Sequence, residues 1–256
     1  GNVGIGTTSP EGSAQLEVNS TDKGFLPPRV ANVNDVSNPV AGLQVYDQSV
    51  NCMRYYNGTV WSECMGKPFS FGDPFMDSRD GKVYNSVQIG TQCWMAENLN
   101  YETTNSWWYD NSSANGDIYG RLYTWEAAIT ACPSGWSLPS DDEWKTLEMQ
   151  LFMSQSDADT TGWRGTNQGE KLKSTSGWFN NGNGIDEAGF KALPGGWRDG
   201  NGDFLPYFLG PNGYWWSATD TLGDIAWFRE LRFDTVKVNR NAWVKENGLS
   251  VRCLRD

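Results

Sequence analysis

The 256-residue chain reads as an α+β protein in three parts: a small β-rich module at residues 1–66, a joint at 67–76, and a domain at 77–256 with two helices, long loops and a terminal antiparallel sheet. Three observations predict this. Glycine at 29 residues and aromatics at 14%, against only 20% charged residues, favour turns and strands over helical bundles. Helical patterning is confined to two stretches, LYTWEAAITA and DDEWKTLEMQLF. The run from Gly213 to Cys253 reads as three or four short strands broken by turn residues.

In order along the chain, GNVGIGTTSPEGS is a polar, glycine-rich opening, and AQLEV after it alternates like a half-buried strand. The tandem prolines of GFLPPRV exclude a central strand position. GLQVYDQ then leads into CMRYYNGTVWSEC, where Asn57-Gly58 is a strong hairpin signal and a cross-strand Cys52–Cys64 bridge is geometrically easy. Strands this short rarely form a stable core alone, so the module is expected to bury them against a neighbour, as a homo-oligomer or filament assembled through residues 1–66. KPFSFGDPFM supplies a Pro/Gly/aromatic joint, and KVYNSVQIG follows the Asp80-Gly81 turn as a strand.

The first helix ends near Cys132-Pro133. The second opens on a capping box, Ser140 with Glu143, and places Trp144, Leu147 and Leu151 on one face. Residues 154–212, rich in Gly, Asn and Ser, read as a long functional or ordered loop region. In the terminal strands Trp215 and Trp216 point to opposite faces, so one of them is expected in the core. Within IAWFRELRFD, Trp227, Arg229, Leu231 and Phe233 share one face and Phe228, Glu230 and Arg232 the other.

Composition excludes several functions. A formal net charge of −11 argues against a nucleic-acid partner, which needs clustered Lys and Arg. No apolar run approaches membrane-spanning length, so no membrane insertion is expected. Histidine is absent, removing the commonest general base and transition-metal ligand. The five cysteines show no CxxC spacing; Cys132–Cys253 would staple a helix end to the final strand, closing a long loop worth on the order of 4–5 kcal/mol. Cys93 is then left as a buried free thiol. Two disulfides imply an oxidising compartment, and with Gly1 first the chain reads as a mature or trimmed product of an extracellular, secreted protein.

DSRDGKVYNSVQIGTQCWMAENLNY, YGRLYTWEAA, CPSGWSLPSDDEW, FKALPGGWRD, GYWWSAT and GLSVRC occur in an order that closely resembles the Fibrobacter succinogenes major paralogous domain, over about residues 77–256. The resemblance implies a C-type-lectin-like fold related to the formylglycine-generating-enzyme group. Ser137 stands where that family often has His, and the extra cysteines often found between 105 and 117 are missing. NVGIGTTSP with LEV, GFLPPRV and the GLQVYD…YYNGTVW run resemble a module of secreted Bacteroidetes proteins and of fibre-like surface or phage-tail proteins, which implies a self-associating β segment.

No nucleophile or base accompanies the acid pairs Asp141/Asp142 and Asp186/Glu187, and only Cys253 lies where the enzyme branch of the related fold keeps two cysteines, so no enzyme activity and no required cofactor are expected. Asp199, Asn201 and Asp203 resemble the start of a calcium loop without its closing bidentate acid, making Ca²⁺ a possible ligand. The expected function is adhesion to a protein or glycan ligand on a cell surface, the alternative a structural subunit of a filament or sheath. Trp107, Trp108 and Tyr109, with Phe228, Arg232, Arg240, Trp243 and Lys245, are the candidate ligand-binding residues, because exposed aromatics beside cations and amides suit both kinds of ligand.

Overall fold

The computed structural model describes residues 2–62, 64–65, 69–204, 208–221 and 223–256. The chain divides into two compact units, residues 1–68 and 69–256. Of the expected joint at 67–76, residues 67 and 68 lie outside the described residues, and from Phe69 onward the chain is part of the larger unit. Two of its three aromatics pack on the core there, Phe69 meeting Trp136 edge-on at 5.7 Å and Phe75 stacking on it at 4.1 Å, while Phe71 is exposed.

The smaller unit holds β1 (Val3–Ile5) and β2 (Leu16–Val18), a parallel pair, then β3 (Arg29–Val30), β4 (Gln44–Asp47) and β5 (Cys52–Tyr55) in one sheet. Asn57 builds the turn beyond β5 by accepting the Thr59 and Val60 N–H groups, each at 2.8 Å, which brings Trp61 opposite Tyr56. Trp61 closes a small core with Val33 and Val45, and Cys52 is bonded to Cys64.

The β1–β2 pair has no such core. Its register sets Val3 against Leu16 and Ile5 against Val18, so these four side chains share one face. They are 54, 56, 57 and 44% exposed for Val3, Leu16, Ile5 and Val18.

The larger unit begins with β6 (Phe75–Met76), β7 (Val83–Tyr84), β8 (Ser86–Ile89), β9 (Gln92–Met95) and β10 (Ser106–Trp107). Then come α1 (Ser113–Tyr119), β11 (Leu122–Tyr123), α2 (Trp125–Ala131), β12 (Trp136–Ser137), α3 (Asp141–Gln150), α4 (Gln155–Asp159), β13 (Gly162–Arg164) and α5 (Gln168–Leu172). The chain closes with β14 (Asn212–Asp220), β15 (Ile225–Arg232), β16 (Val238–Val244), β17 (Leu249–Ser250) and β18 (Leu254–Arg255).

The architecture is α+β and mostly β. The two expected helices, α2 and α3, are present, and the capping box of α3 forms with both Ser140 and Glu143 engaged. Among the described residues there are five helices rather than two. The other three are short, five to seven residues; α4 and α5 lie in the 154–212 segment read as a loop region, and α1 lies before the first expected helix. Helices of that length owe their existence to tertiary packing and caps, not to a periodic stripe. The 154–212 region accordingly contains α4, β13 and α5.

The terminal strands are also longer than expected, at nine, eight and seven residues for β14, β15 and β16. They form the centre of a seven-stranded sheet in the order β10-β11-β17-β14-β15-β16-β13. Both faces are covered. Tyr214, Trp216, Ala226 and Phe228 join one core with Tyr123, Leu249 and Cys253, while Trp215, Leu231 and Val238 join another with Trp94, Trp144 and Phe190. Trp215 and Trp216 do point to opposite faces, but both are buried, because neither face of the sheet is open at that point. Cys132 at the end of α2 is bonded to Cys253, and Cys93 is a buried free thiol. No helix among the described residues is long and apolar enough to cross a membrane.

Candidate binding site

Across β14, β15 and β16 the sheet carries a pocket of about 230 Å³, lined by Tyr214, Phe228, Glu230, Asn239, Asn241, Ala242 and Trp243. Strand alternation puts Phe228 and Glu230 on one face of β15, and the β15–β16 register sets Glu230 against Asn239 and Phe228 against Asn241. Trp243 lies over this face. Its ring centroid is 5.4 Å from Phe228, 5.7 Å from Tyr214 and 4.2 Å from Trp197, a distance range in which aromatic pairs attract.

Glu230 forms the polar end of the pocket and is 9% exposed. Its carboxylate accepts from Asn212 Nδ2 at 3.0 Å and Asn239 Nδ2 at 2.7 Å, and bonds the Tyr214 hydroxyl. Burial, then the charge of Glu230, push the Tyr214 phenol far above its usual range, so it stays a neutral donor. All three partners of Glu230 are neutral. Arg232, next on the same face, is bonded to Asp234 at 2.6 Å. Asn239 is 8% exposed, and its Oδ1 receives no hydrogen bond.

On the opposite side of β15 and β16 lies a second acidic group with the reverse character. Asp141, at the start of α3, takes Arg229 at 2.8 Å and Arg240 at 2.7 Å, and Glu148, about two turns further along the same face of α3, takes Arg229 at 2.7 Å and Arg164 at 2.6 Å. All five side chains are buried. Burial pushes the Asp141 carboxyl up, but hydrogen bonds and charge from Arg240 and Arg229 outweigh it and hold the group well below the usual carboxylate range. This network locks α3 to β13, β15 and β16.

Of the candidate ligand residues, the structure brings together Phe228 and Trp243 in the pocket. Phe228 is only 5% exposed, because Trp243 and Tyr214 cover it, so it is a wall and not a protruding side chain. Arg240, expected to face outward, is 7% exposed: Asp141 and the ring of Trp227, 3.8 Å from its guanidinium carbon, draw it inward. Lys245 is half-buried over the Trp125 ring and pairs with Asp220 at 3.3 Å, beside a separate cleft of about 260 Å³.

Trp107, Trp108 and Tyr109, read as an exposed trio, are packed in other surroundings. Arg198 stacks on Trp107, Trp108 donates to Asn100 and carries Arg121 on its ring, and Tyr109 is 2% exposed. Gly196 explains the last: at φ +66° its missing Cβ leaves room that a side chain would take within 2.5 Å of the Tyr109 ring. Asp199 spends its carboxylate on its own turn, accepting the Asp203 N–H at 2.8 Å. Among the described residues no group of three acidic, Cys or His side chains is placed to hold a metal. Tyr214, Glu230 and Asn239 were not singled out by sequence; the only available signal was that Glu230 shares the Phe228 face.

A family model described as the Fibrobacter succinogenes major domain matches residues 87–255, more than half of the chain. A second, described as a phage tail like trimerisation region, matches residues 4–78. No curated protein and no solved structure gives a significant match.

Proposed function

The chain belongs to the Fibrobacter succinogenes major domain family, and on that premise we propose that it is a secreted, non-enzymatic cell-surface binding protein presenting a C-type-lectin-like recognition surface on a self-associating β module. The observation that carries the binding half is the Trp243 pocket, a concave aromatic site with a few convergent polar groups on a rigid sheet. Two disulfides support an oxidising, extracellular setting. The absence of His and the engagement of Cys253 with Cys132 support a non-catalytic role, and the reading requires no cofactor.

The self-associating half rests on the β1–β2 face. Parallel strands are normally covered on both faces, yet Val3, Ile5, Leu16 and Val18 are open, and the resemblance of 4–78 to a trimerisation region supplies the covering: two further copies of the same chain. The same face would serve a filament subunit, and electron microscopy of the purified protein separates a discrete trimer from a fibre.

Two measurements test this reading. Sedimentation of the intact protein at micromolar concentration should give a trimer, and Ile5→Asp with Val18→Asp a monomer whose larger unit unfolds unchanged; a wild-type monomer contradicts it. Arrays of cell-surface glycans and proteins should give ligands that Trp243→Ala loses; ligands retained in full by that variant place the site elsewhere. The triple replacement of Trp243, Lys245 and Arg240 is unsuitable, because removing Arg240 strips a partner from buried Asp141 and unfolding would mimic lost binding.

A further inference from the structure

The pocket's own chemistry narrows its ligand, an inference that rests on the assignment of this pocket as the binding site. Glu230 is a buried carboxylate held by three neutral donors, with no lysine or arginine at ion-pair distance among the described residues. The Arg232 charge reaches Glu230 only through space, its hydrogen bonds being spent on Asp234, and a buried carboxylate without a paired cation is retained at a cost to folding. Beside it, the Asn239 Oδ1 lacks a donor although the residue is more than nine-tenths buried. The two unanswered groups are therefore an anion and an acceptor. A ligand that satisfies both brings a positive charge bearing N–H groups.

The walls specify what carries that charge. Beside Glu230 on the same sheet face, Trp243, Phe228 and Tyr214 offer apolar contact to a hydrocarbon stem and ring faces to a cation. We infer that the pocket binds a lysine side chain of a partner protein, its methylenes against Trp243 and Phe228 and its ammonium donating to Glu230 and to Asn239 Oδ1. An ammonium has three donors to distribute, which suits two acceptors and a ring face. An amino sugar carries its ammonium directly on the ring with no methylene stem to lie along Trp243 and Phe228. The net charge of −11 draws a basic partner to this surface over longer range.

The test is an NMR titration of the intact protein, with indole N–H signals labelled and Trp243 assigned by Trp243→Phe. The probes are Nα-acetyl-lysine amide, its Nε-acetyl derivative, glucosamine, and a neutral hexose. The expected result is a saturable shift of the Trp243 signal with the lysine probe in the millimolar range. Nε-acetylation should weaken binding about tenfold or more, and Glu230→Gln likewise, since each removes one charge of the pair while keeping shape. Equal binding of the acetylated probe, unchanged binding by folded Glu230→Gln, or a preference for glucosamine overturns the lysine assignment and leaves the site standing. No shift of Trp243 with any probe, together with array ligands retained by Trp243→Ala, overturns both.

Discussion

The sheet at the heart of the larger unit has a buried acid on each side, and the two are treated in opposite ways. Asp141 is surrounded by Arg229 and Arg240, within a cluster that also ties Glu148 to Arg229 and Arg164. Glu230, one residue beyond Arg229 on the same strand, is surrounded by two asparagines and a tyrosine. The first arrangement is complete without a ligand. The second is hydrogen-bonded but has no cation in ion-pair contact among the described residues. A buried acid that has its cations within the chain specifies how elements fit together; one that lacks them specifies what may come from outside.

The largest effect that would break this contrast is expected at Asp141. Asp141→Asn leaves Arg229 and Arg240 buried with one carboxylate fewer and should lower unfolding free energy by about 3–5 kcal/mol, measured by denaturant titration. A loss under about 1 kcal/mol would mean that the network is not what fixes α3 to the sheet. The pH dependence follows from the depressed carboxyl. A group held below its unfolded value of about 4 contributes fully above that pH and loses its contribution as pH falls through the folded value. Wild-type stability should thus decline below about pH 4, and Asp141→Asn should decline less steeply over that window.

A smaller loss is expected at Trp243. It is half-buried, so Trp243→Ala should cost roughly 2 kcal/mol, below the range for fully buried tryptophans, while removing ligand binding altogether. At Ile5 and Val18 the effect on unfolding of the larger unit should be nil, with the whole change in oligomer mass.

The same contrast explains what could be read from the sequence. The capping box at Ser140, the hairpin turn at Asn57-Gly58 and the Trp144, Leu147, Leu151 stripe are local signals, and each is realised as expected. The short helices α1, α4 and α5 carry no periodic stripe, so none was expected, and the segment holding α4 and α5 reads as a loop region. Site residues depend on long-range placement. Arg240 and Trp243 stand in one polar segment, NRNAWVKENG, and nothing local says that the first meets Asp141, 99 residues away in sequence, and turns inward. Phe228 was placed on the correct side of β15, yet alternation assigns faces and does not say whether a face is covered. Glu230 was legible only as a neighbour of Phe228, since its lack of an ion-paired cation among the described residues is a property of the whole fold.

The contrast is tested most directly by thermal unfolding of Glu230→Gln beside wild type. Asn239 can turn its amide so that its unpartnered Oδ1 accepts from the new Gln Nε2, keeping the hydrogen bonds while the buried charge is removed. An unneutralised acid kept for a ligand predicts a melting temperature equal to or above that of wild type. A fall comparable to that of Asp141→Asn would show that Glu230, too, is a structural acid, and the pocket would lose its claim to a cation.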